Sequence, residues 1–113
     1  MTEITDKIVD FLKVVADQTR LDILILLKNG PKTSKQIQKA LNKKQSTISQ
    51  HLKTLADAEL ITIIKKEDEI VNHYTIKYQY IFKILSFIQS FIITIEKDKR
   101  RELSNLDVYD TLF

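Results

Sequence analysis

The sequence predicts a mostly α-helical domain with one small β-hairpin, in the order four helices, hairpin, closing helix. Apolar residues recur three and four positions apart in five separate stretches, the period of helices with one buried face. Two β-branched runs, residues 60–66 and 70–76, flank the acidic tripeptide Glu67-Asp68-Glu69 and read as a hairpin with a three-residue tip. The only glycine and the only proline stand together at Gly30-Pro31. At 113 residues the chain has room for one core but not two.

Ile4, Ile8, Phe11, Leu12 and Val15 place a first amphipathic helix over about residues 4–16. Thr19 is a candidate cap for a second, residues 20–28, whose Leu21, Ile23, Leu24, Ile25, Leu26 and Leu27 predict burial on most sides. That helix stops at Asn29-Gly30-Pro31, because glycine accepts a left-handed cap and proline cannot continue a helix. Thr33 and Gln36 have the capping-box spacing and start a third helix with Ile37, Ala40 and Leu41 inward. After Asn42-Lys43-Lys44 a fourth helix covers residues 45–58, with Ile48, Leu52 and Leu55 on one side. At about 100° per residue, Ser46, Gln50, Lys53 and Asp57 then face the opposite way, with Thr47, Ser49 and Thr54 on the flanks.

From Tyr78 onward, Ile81, Leu85, Ile88, Ile92 and Ile95 form one stripe, and Tyr80, Ile84, Phe87 and Phe91 a second beside it. The double stripe fits a dimer seam, a membrane-surface helix or a helix wrapping its own core; a domain this small has little core to occupy both stripes, so the seam is favoured, together with Ile8 and Leu12 of the first helix. Residues 97–101, rich in Lys and Arg, suit a helix C-terminus and its dipole, and the helix is expected to end there. The organisation expected is a domain over residues 1–98 and a tail over 99–113, whose Leu103, Leu106, Val108, Leu112 and Phe113 are free to fray or dock.

Charge is segregated along the chain. Between Asp22 and Asp57 there is no acid, but there are seven lysines: Lys28, Lys32, Lys35, Lys39, Lys43, Lys44 and Lys53. Since the whole chain carries +3, that +7 leaves −4 for the remainder, the distribution of a polyanion-binding face on an acidic body. Lysines for phosphates beside hydroxyl and amide side chains for base edges is what reading duplex DNA requires.

Other classes fit less well. No cysteine is present, which removes disulfides, thiolate metal ligands and a cysteine nucleophile. His51 and His73 fall on separate elements and do not make a compact metal-ligand set, so neither metal nor cofactor is expected. Gly30 stands alone, so there is no glycine-rich phosphate loop, and no general base lies near the hydroxyl cluster except His51. An enzyme is not expected. Residues 81–95 are too short and too interrupted by Lys83, Ser86, Gln89 and Ser90 to cross a bilayer. The acidic start of the chain lacks a signal-peptide core, which makes the cytoplasm the expected compartment.

The element order describes a winged helix-turn-helix domain. The run Ala16-Asp17-Gln18-Thr19-Arg20-Leu21-Asp22-Ile23-Leu24 resembles the Ala-Asp-Pro-Thr-Arg-Leu-x-Ile-Leu opening of the ArsR-type transcriptional regulators. Gln45-Ser46-Thr47-Ile48-Ser49-Gln50-His51-Leu52-Lys53-Thr54-Leu55 resembles that family's recognition helix, and the likeness spans about residues 8–85. Gln18 stands where the family usually has proline, Lys44 where it has serine, and Glu67-Asp68-Glu69 where its wing carries glycine with Arg or Lys. The cysteines and His-carboxylate clusters through which relatives sense metals have no counterpart, so the resemblance implies the DNA-binding half of the family's behaviour.

The DNA-binding residues expected are Lys35, Lys43, Lys44, Gln45, Ser46, Thr47, Ser49, Gln50, Lys53, Lys65 and Lys66. Ser46 and Gln50 point farthest from Ile48 and suit base edges, while Thr47 and Ser49 suit phosphate. The acidic tip would repel phosphates, so contacts near the wing fall to Lys65 and Lys66. His51, about 60° from its helix's apolar centre, reads as a packing or hydrogen-bonding residue, and Arg20 as a salt-bridge partner of Asp17 or a cap. The expected function is a sequence-specific regulator, a homodimeric repressor on a pseudo-palindromic duplex with half-sites about 34 Å apart. The alternative is a winged-helix module for protein interaction or RNA, with the acidic tip as contact surface.

Overall fold

The computed structural model describes residues 2–112, with side chains through residue 103. Phe113 and the side chains of Leu106, Val108 and Leu112, expected to fray or dock, lie outside the described residues. Two compact units emerge, Met1–Gln79 and Tyr80–Phe113.

The first unit is a winged helix-turn-helix: α1 (Glu3–Val15), α2 (Gln18–Leu27), β1 (Lys32–Thr33), α3 (Ser34–Leu41), α4 (Gln45–Asp57), β2 (Ile61–Ile64) and β3 (His73–Ile76). Its core is aliphatic. Ile23, Leu24, Leu27, Ile37, Ile48, Leu52, Leu55 and Ile61 are fully buried, and burial of each such side chain contributes about 1.5–3 kcal/mol.

The cap of α2 is Asp17, not Thr19: the Arg20 backbone N–H donates to its carboxylate at 3.0 Å. Asp17 wins because its short carboxylate, on extended backbone, reaches the third amide of the helix and meets the positive end of its dipole. The helix is buried at Ile23, Leu24 and Leu27, but Ile25 points to solvent and is 57% exposed, contrary to the expectation from composition. One side of α2 therefore stays open. The stop at Asn29-Gly30-Pro31 is present, with Gly30 at a positive φ of 131° that a side chain would disfavour.

The capping box of α3 is complete, Thr33 accepting from the Gln36 amide and Gln36 Oε1 accepting from the Thr33 amide at 2.9 Å. Ile37 is buried and Leu41 half-buried, whereas Ala40 is exposed rather than inward, because an eight-residue helix turns only a narrow arc to the core. The helix ends at Asn42, left-handed at φ 52° and ψ 51°, with the Lys43 amide donating to the Gln38 carbonyl at 3.1 Å. The Gln38 carbonyl also accepts from the Asn42 amide, so the two bonds close the last turn and redirect the chain into α4.

The wing is a three-stranded antiparallel sheet in the order β1-β3-β2, not a bare hairpin. Thr33 pairs with His73 and Lys32 with Tyr74, so two residues preceding α3 add a third strand. In the β2–β3 ladder Ile61 faces Ile76, both buried, and Ile64 faces His73. Strand structure stops there. The tip is accordingly residues 65–72, longer than the tripeptide expected, with a turn closed by the Glu69 amide on the Lys66 carbonyl at 3.1 Å. Ile70 and Val71 lie in that loop at 98% and 52% exposure, since nothing buries their side chains and β-propensity alone does not hold a strand.

The second unit is one helix, α5 (Tyr80–Leu112), of 33 residues and about 50 Å at 1.5 Å per residue. The expected end at residues 97–101 is not an end. Basic residues favour a terminus without imposing one; no Gly or Pro follows, and Glu96 pairs with Lys99 at 3.8 Å. No helix among the described residues is long and apolar enough to cross a membrane.

Two outcomes follow from these caps. Asp17→Ala should cost about 1 kcal/mol of stability at neutral pH, measured by urea unfolding. The Arg20 amide holds the Asp17 carboxyl below its ordinary 3.8, so the contribution is present above that pH and lost as pH falls through the lower folded value; the two proteins should converge in acid. At the helix-turn, Asn42→Val should cost about 1–2 kcal/mol while Asn42→Gly costs far less, because only the former adds a branched side chain at positive φ.

Candidate nucleic-acid interface

Three side chains orient α4. Ile48, Leu52 and Leu55 have 0%, 1% and 0% exposure, so the opposite face cannot turn inward without emptying the core. Ser46, Gln50, Lys53 and Asp57 are all exposed on that opposite face. Thr47 and Thr54 are half-buried at its margins and Ser49 is exposed. The Thr54 hydroxyl donates to the Gln50 backbone carbonyl of the preceding turn at 3.1 Å, and among the described residues no hydrogen bond engages the Gln50 side chain.

The start of α4 is open. Lys44 is its N-cap and contributes no capping side-chain bond, so the first-turn amides lack the oxygen that Asp17 and Thr33 supply to α2 and α3. Gln45 and Ser46 are exposed there, and Lys43 and Lys44 lie exposed in the turn before them. Uncapped amides at the positive end of a helix, flanked by two ammonium groups, form a local anion-accepting surface. Lys35 and Lys39 are exposed on α3. Among the described residues none of Lys35, Lys39, Lys43 and Lys44 joins an ion pair; Lys53 meets Asp57 at 3.9 Å with both side chains at least 71% exposed, a pairing of at most a few tenths of a kcal/mol.

The structure separates the expected residues into two groups. Lys35, Lys43, Lys44, Gln45, Ser46, Thr47, Ser49, Gln50 and Lys53 belong to α3, α4 and the turn between them, whereas Lys65 and Lys66 sit in the long wing loop. Glu67 and Asp68 are exposed, but Glu69 folds back to within 3.3 Å of His73 Nε2 on β3. His73 Nδ1 is buried with no hydrogen-bond partner. Among the described residues no cluster of three His, Cys, Asp or Glu side chains could hold a metal ion.

Two features escape a reading of the chain. Ile63 and Tyr74 of the sheet border the same shallow depression as Ser49 and Lys53, an adjacency created by strand register. Arg20 also makes no ion pair with Asp17; its guanidinium reaches the carbonyls of Lys13 and Val14 and, at 3.1 Å, His51 Nδ1. His51 is half-buried and hydrogen-bonded, as its angle on the helix predicts.

For the seam residues the structure gives uneven exposure. Ile8 and Leu12 are 51% and 47% exposed on α1, and Ile88, Ile92 and Ile95 are 40%, 52% and 38% exposed on α5. Leu85 is half-buried, and Ile81 is buried at 5%. The accessible stripe on α5 therefore begins at Leu85.

Known proteins share this architecture. The family model of the bacterial regulatory proteins of the arsR family matches residues 17–62, from the α2 cap to the first residues of β2. The transcriptional regulator HlyU of Vibrio vulnificus is 29% identical, with 79% of this chain and 91% of that one covered at a TM-score of 0.64. A possible transcriptional regulator for arsenical resistance is 30% identical over 73% of this chain and 83% of its own, at a TM-score of 0.58. A homodimeric winged helix-turn-helix DNA-binding domain from Mycobacterium bovis, 21% identical, shares the fold at a TM-score of 0.70 over 81% and 87% of the two chains. No curated protein matches the chain. With the family's helix-turn-helix matched in sequence and a 30% identical regulator covered over most of its length, this chain belongs to the arsR family of bacterial regulatory proteins.

Proposed function

We propose that the protein is a homodimeric repressor that acts in the cytoplasm by covering a promoter, reading a pseudo-palindromic duplex with α4. The observation that carries this is the outward face of α4: Ser46, Gln50 and Lys53 stand exposed directly opposite a fully buried stripe, within a stretch that has no acid for 34 residues. Ser46 and Gln50 are assigned to base edges. Gln45, Thr47, Ser49, Lys35, Lys43, Lys44 and Lys53 are assigned to phosphates, with the uncapped α4 amides beside them. The family's regulators are DNA-binding proteins rather than enzymes, which agrees with this reading.

Repulsion keeps the acidic wing tip out of the minor groove, and Lys65 and Lys66 at its base supply whatever phosphate contact the wing makes. The domain proposed spans residues 1–98, with a tail over 99–113 whose described residues, to 112, continue α5. The seam proposed uses Ile8 and Leu12 of α1 and, on α5, Leu85, Ile88, Ile92 and Ile95; exposed aliphatic residues at helical spacing on each element support it, and Ile81, expected with them, is left out because it is already buried. Metal sensing through cysteines is not part of the proposal, since the chain has none. A second reading, a module for protein contact, is favoured by one observation: Ile70 and Val71 stand exposed beside Glu67 and Asp68. Single-stranded RNA displacing duplex DNA, or a partner captured by the wing alone, would decide for that class.

Duplexes selected from a random pool should yield a symmetric motif, and Gln50→Ala should lose about 1–3 kcal/mol of discrimination within it. Lys43→Ala should weaken all duplexes alike and lower the salt slope by about one. No salt-dependent duplex binding in a mobility-shift titration would refute the proposal. Separately, Ile92→Asp should shift the protein to monomer in sedimentation velocity and reduce affinity for a two-half-site duplex by about a hundredfold, with single half-sites affected little. A variant that stays dimeric would exclude Ile92 from the seam.

A further inference from the structure

We infer that Arg20 is a positioning residue for the reading helix: its guanidinium fixes the rotation of α4 by donating to His51, which it holds as a neutral acceptor. The inference rests on the proposal that α4 reads bases, and adds a residue that touches no DNA itself.

The geometry begins at the backbone. The Arg20 amide is tied to Asp17 at the first turn of α2, which fixes where its side chain starts. Nε then donates to the Val14 carbonyl and Nη2 to the Lys13 carbonyl at 3.4 Å, groups that the C-terminus of α1 leaves without helical partners. Nη1 reaches His51 Nδ1 on α4 at 3.1 Å. One planar group therefore spans α1, α2 and α4, joining residues 31 positions apart in the chain. Three of its five N–H donors are directed to protein acceptors and the residue is half-buried, which favours a structural role over a phosphate contact.

The chemistry of the pair fixes a protonation state. A guanidinium has only donors and does not deprotonate, so Nδ1 of His51 must present its lone pair and the ring proton must sit on Nε2. An Nδ1–H would set two donors against each other. The charged group that meets the ring is Arg20, from the first turn of α2.

Rotation is the degree of freedom that the aliphatic stripe controls least. Contacts of Ile48, Leu52 and Leu55 are non-directional and tolerate a small turn of α4 about its axis, whereas a hydrogen bond at the flank weakens steeply with angle. A 20° turn moves a side-chain tip about 5.5 Å from the axis by about 2 Å. That displacement is enough to break a hydrogen bond to a base edge. His51 follows Gln50 directly, so the bond acts within one residue of the proposed base reader. Its other anchor is α1, whose exposed Ile8 and Leu12 lie on the proposed seam, so Arg20 ties each reading helix to the element that would set its distance from the partner's.

Arg20→Met keeps the apolar stem and removes the donors; His51→Leu removes the acceptor; His51→Asn keeps an oxygen near the Nδ1 position. With the selected duplex and a scrambled duplex as probes, Arg20→Met and His51→Leu should each lower the specific-to-nonspecific affinity ratio at least about tenfold. Nonspecific affinity and salt slope should not move, and His51→Asn should stay within about threefold of wild type. In the wild-type protein, long-range nitrogen-15 NMR should find His51 protonated on Nε2 and bare on Nδ1, and Arg20→Met should release that tautomer preference. Should Arg20→Met not fold, the His51 pair and the wild-type tautomer decide. A wild-type ratio retained by His51→Leu, or a proton on Nδ1, overturns the positioning role alone. A wild-type protein indifferent to duplex sequence overturns base reading, and this inference with it.

Discussion

Burial of Ile48, Leu52 and Leu55 is the constraint from which the rest of the first unit takes its orientation. These residues lie four and three positions apart, so a single stripe of α4 is consumed by the core and the polar remainder is forced outward. The same core takes Leu24 and Leu27 of α2, Ile37 of α3 and Ile61 of β2. Four elements are thus referenced to one apolar centre. Because interiors pack at crystal-like density, the turn between α3 and α4 has little freedom to vary, and left-handed Asn42 meets its geometry at small cost.

On that scaffold, charge is arranged by omission as much as by placement. Exposed charges interact over about 8 Å at physiological ionic strength, so a carboxylate within that distance of Lys43 or Lys44 would offset them. The chain places none among the residues of α3 and the turn. Asp57 is the exception on α4, and it sits at the far end from the uncapped amides. The wing inverts the pattern: Lys65 and Lys66 precede exposed Glu67 and Asp68, and Glu69 turns back toward His73. On the proposed reading, a loop of this composition meets a polyanion at its base.

Most of the fold was legible because its signals are local. The capping box of Thr33 with Gln36, the stop at Gly30-Pro31 and the inward and outward faces of α4 each depend on residues within one or two turns. Errors arose where two local signals competed or where tertiary contact decided. Asp17 and Thr19 are both competent caps, and only backbone geometry selected Asp17. A strand of two residues, Lys32 and Thr33, has no periodicity to read and exists because His73 and Tyr74 pair with it. Residues 70–71 look like strand by propensity but find no partner, and α5 runs past its basic segment because favourable end charges do not stop a helix. Of the candidate site, the side of α4 it occupies was legible. The bond between Arg20 and His51 was not, since no pattern in a sequence reports a contact across 31 residues.

That bond also explains why arginine, rather than lysine, suits position 20. A lysine carries one rotatable ammonium on a flexible stem and could serve the carbonyls of α1 or the imidazole of α4, with entropy opposing both together. The guanidinium presents its donors in a rigid plane, so satisfying Val14 and Lys13 fixes the direction in which Nη1 points. The acceptors on α1 thereby set the position of His51. On the proposed reading, this one side chain links the helix that carries part of the seam to the helix that meets DNA, while belonging to neither surface. On that reading a shift of the last turn of α1 would be passed to α4 through the Arg20 guanidinium.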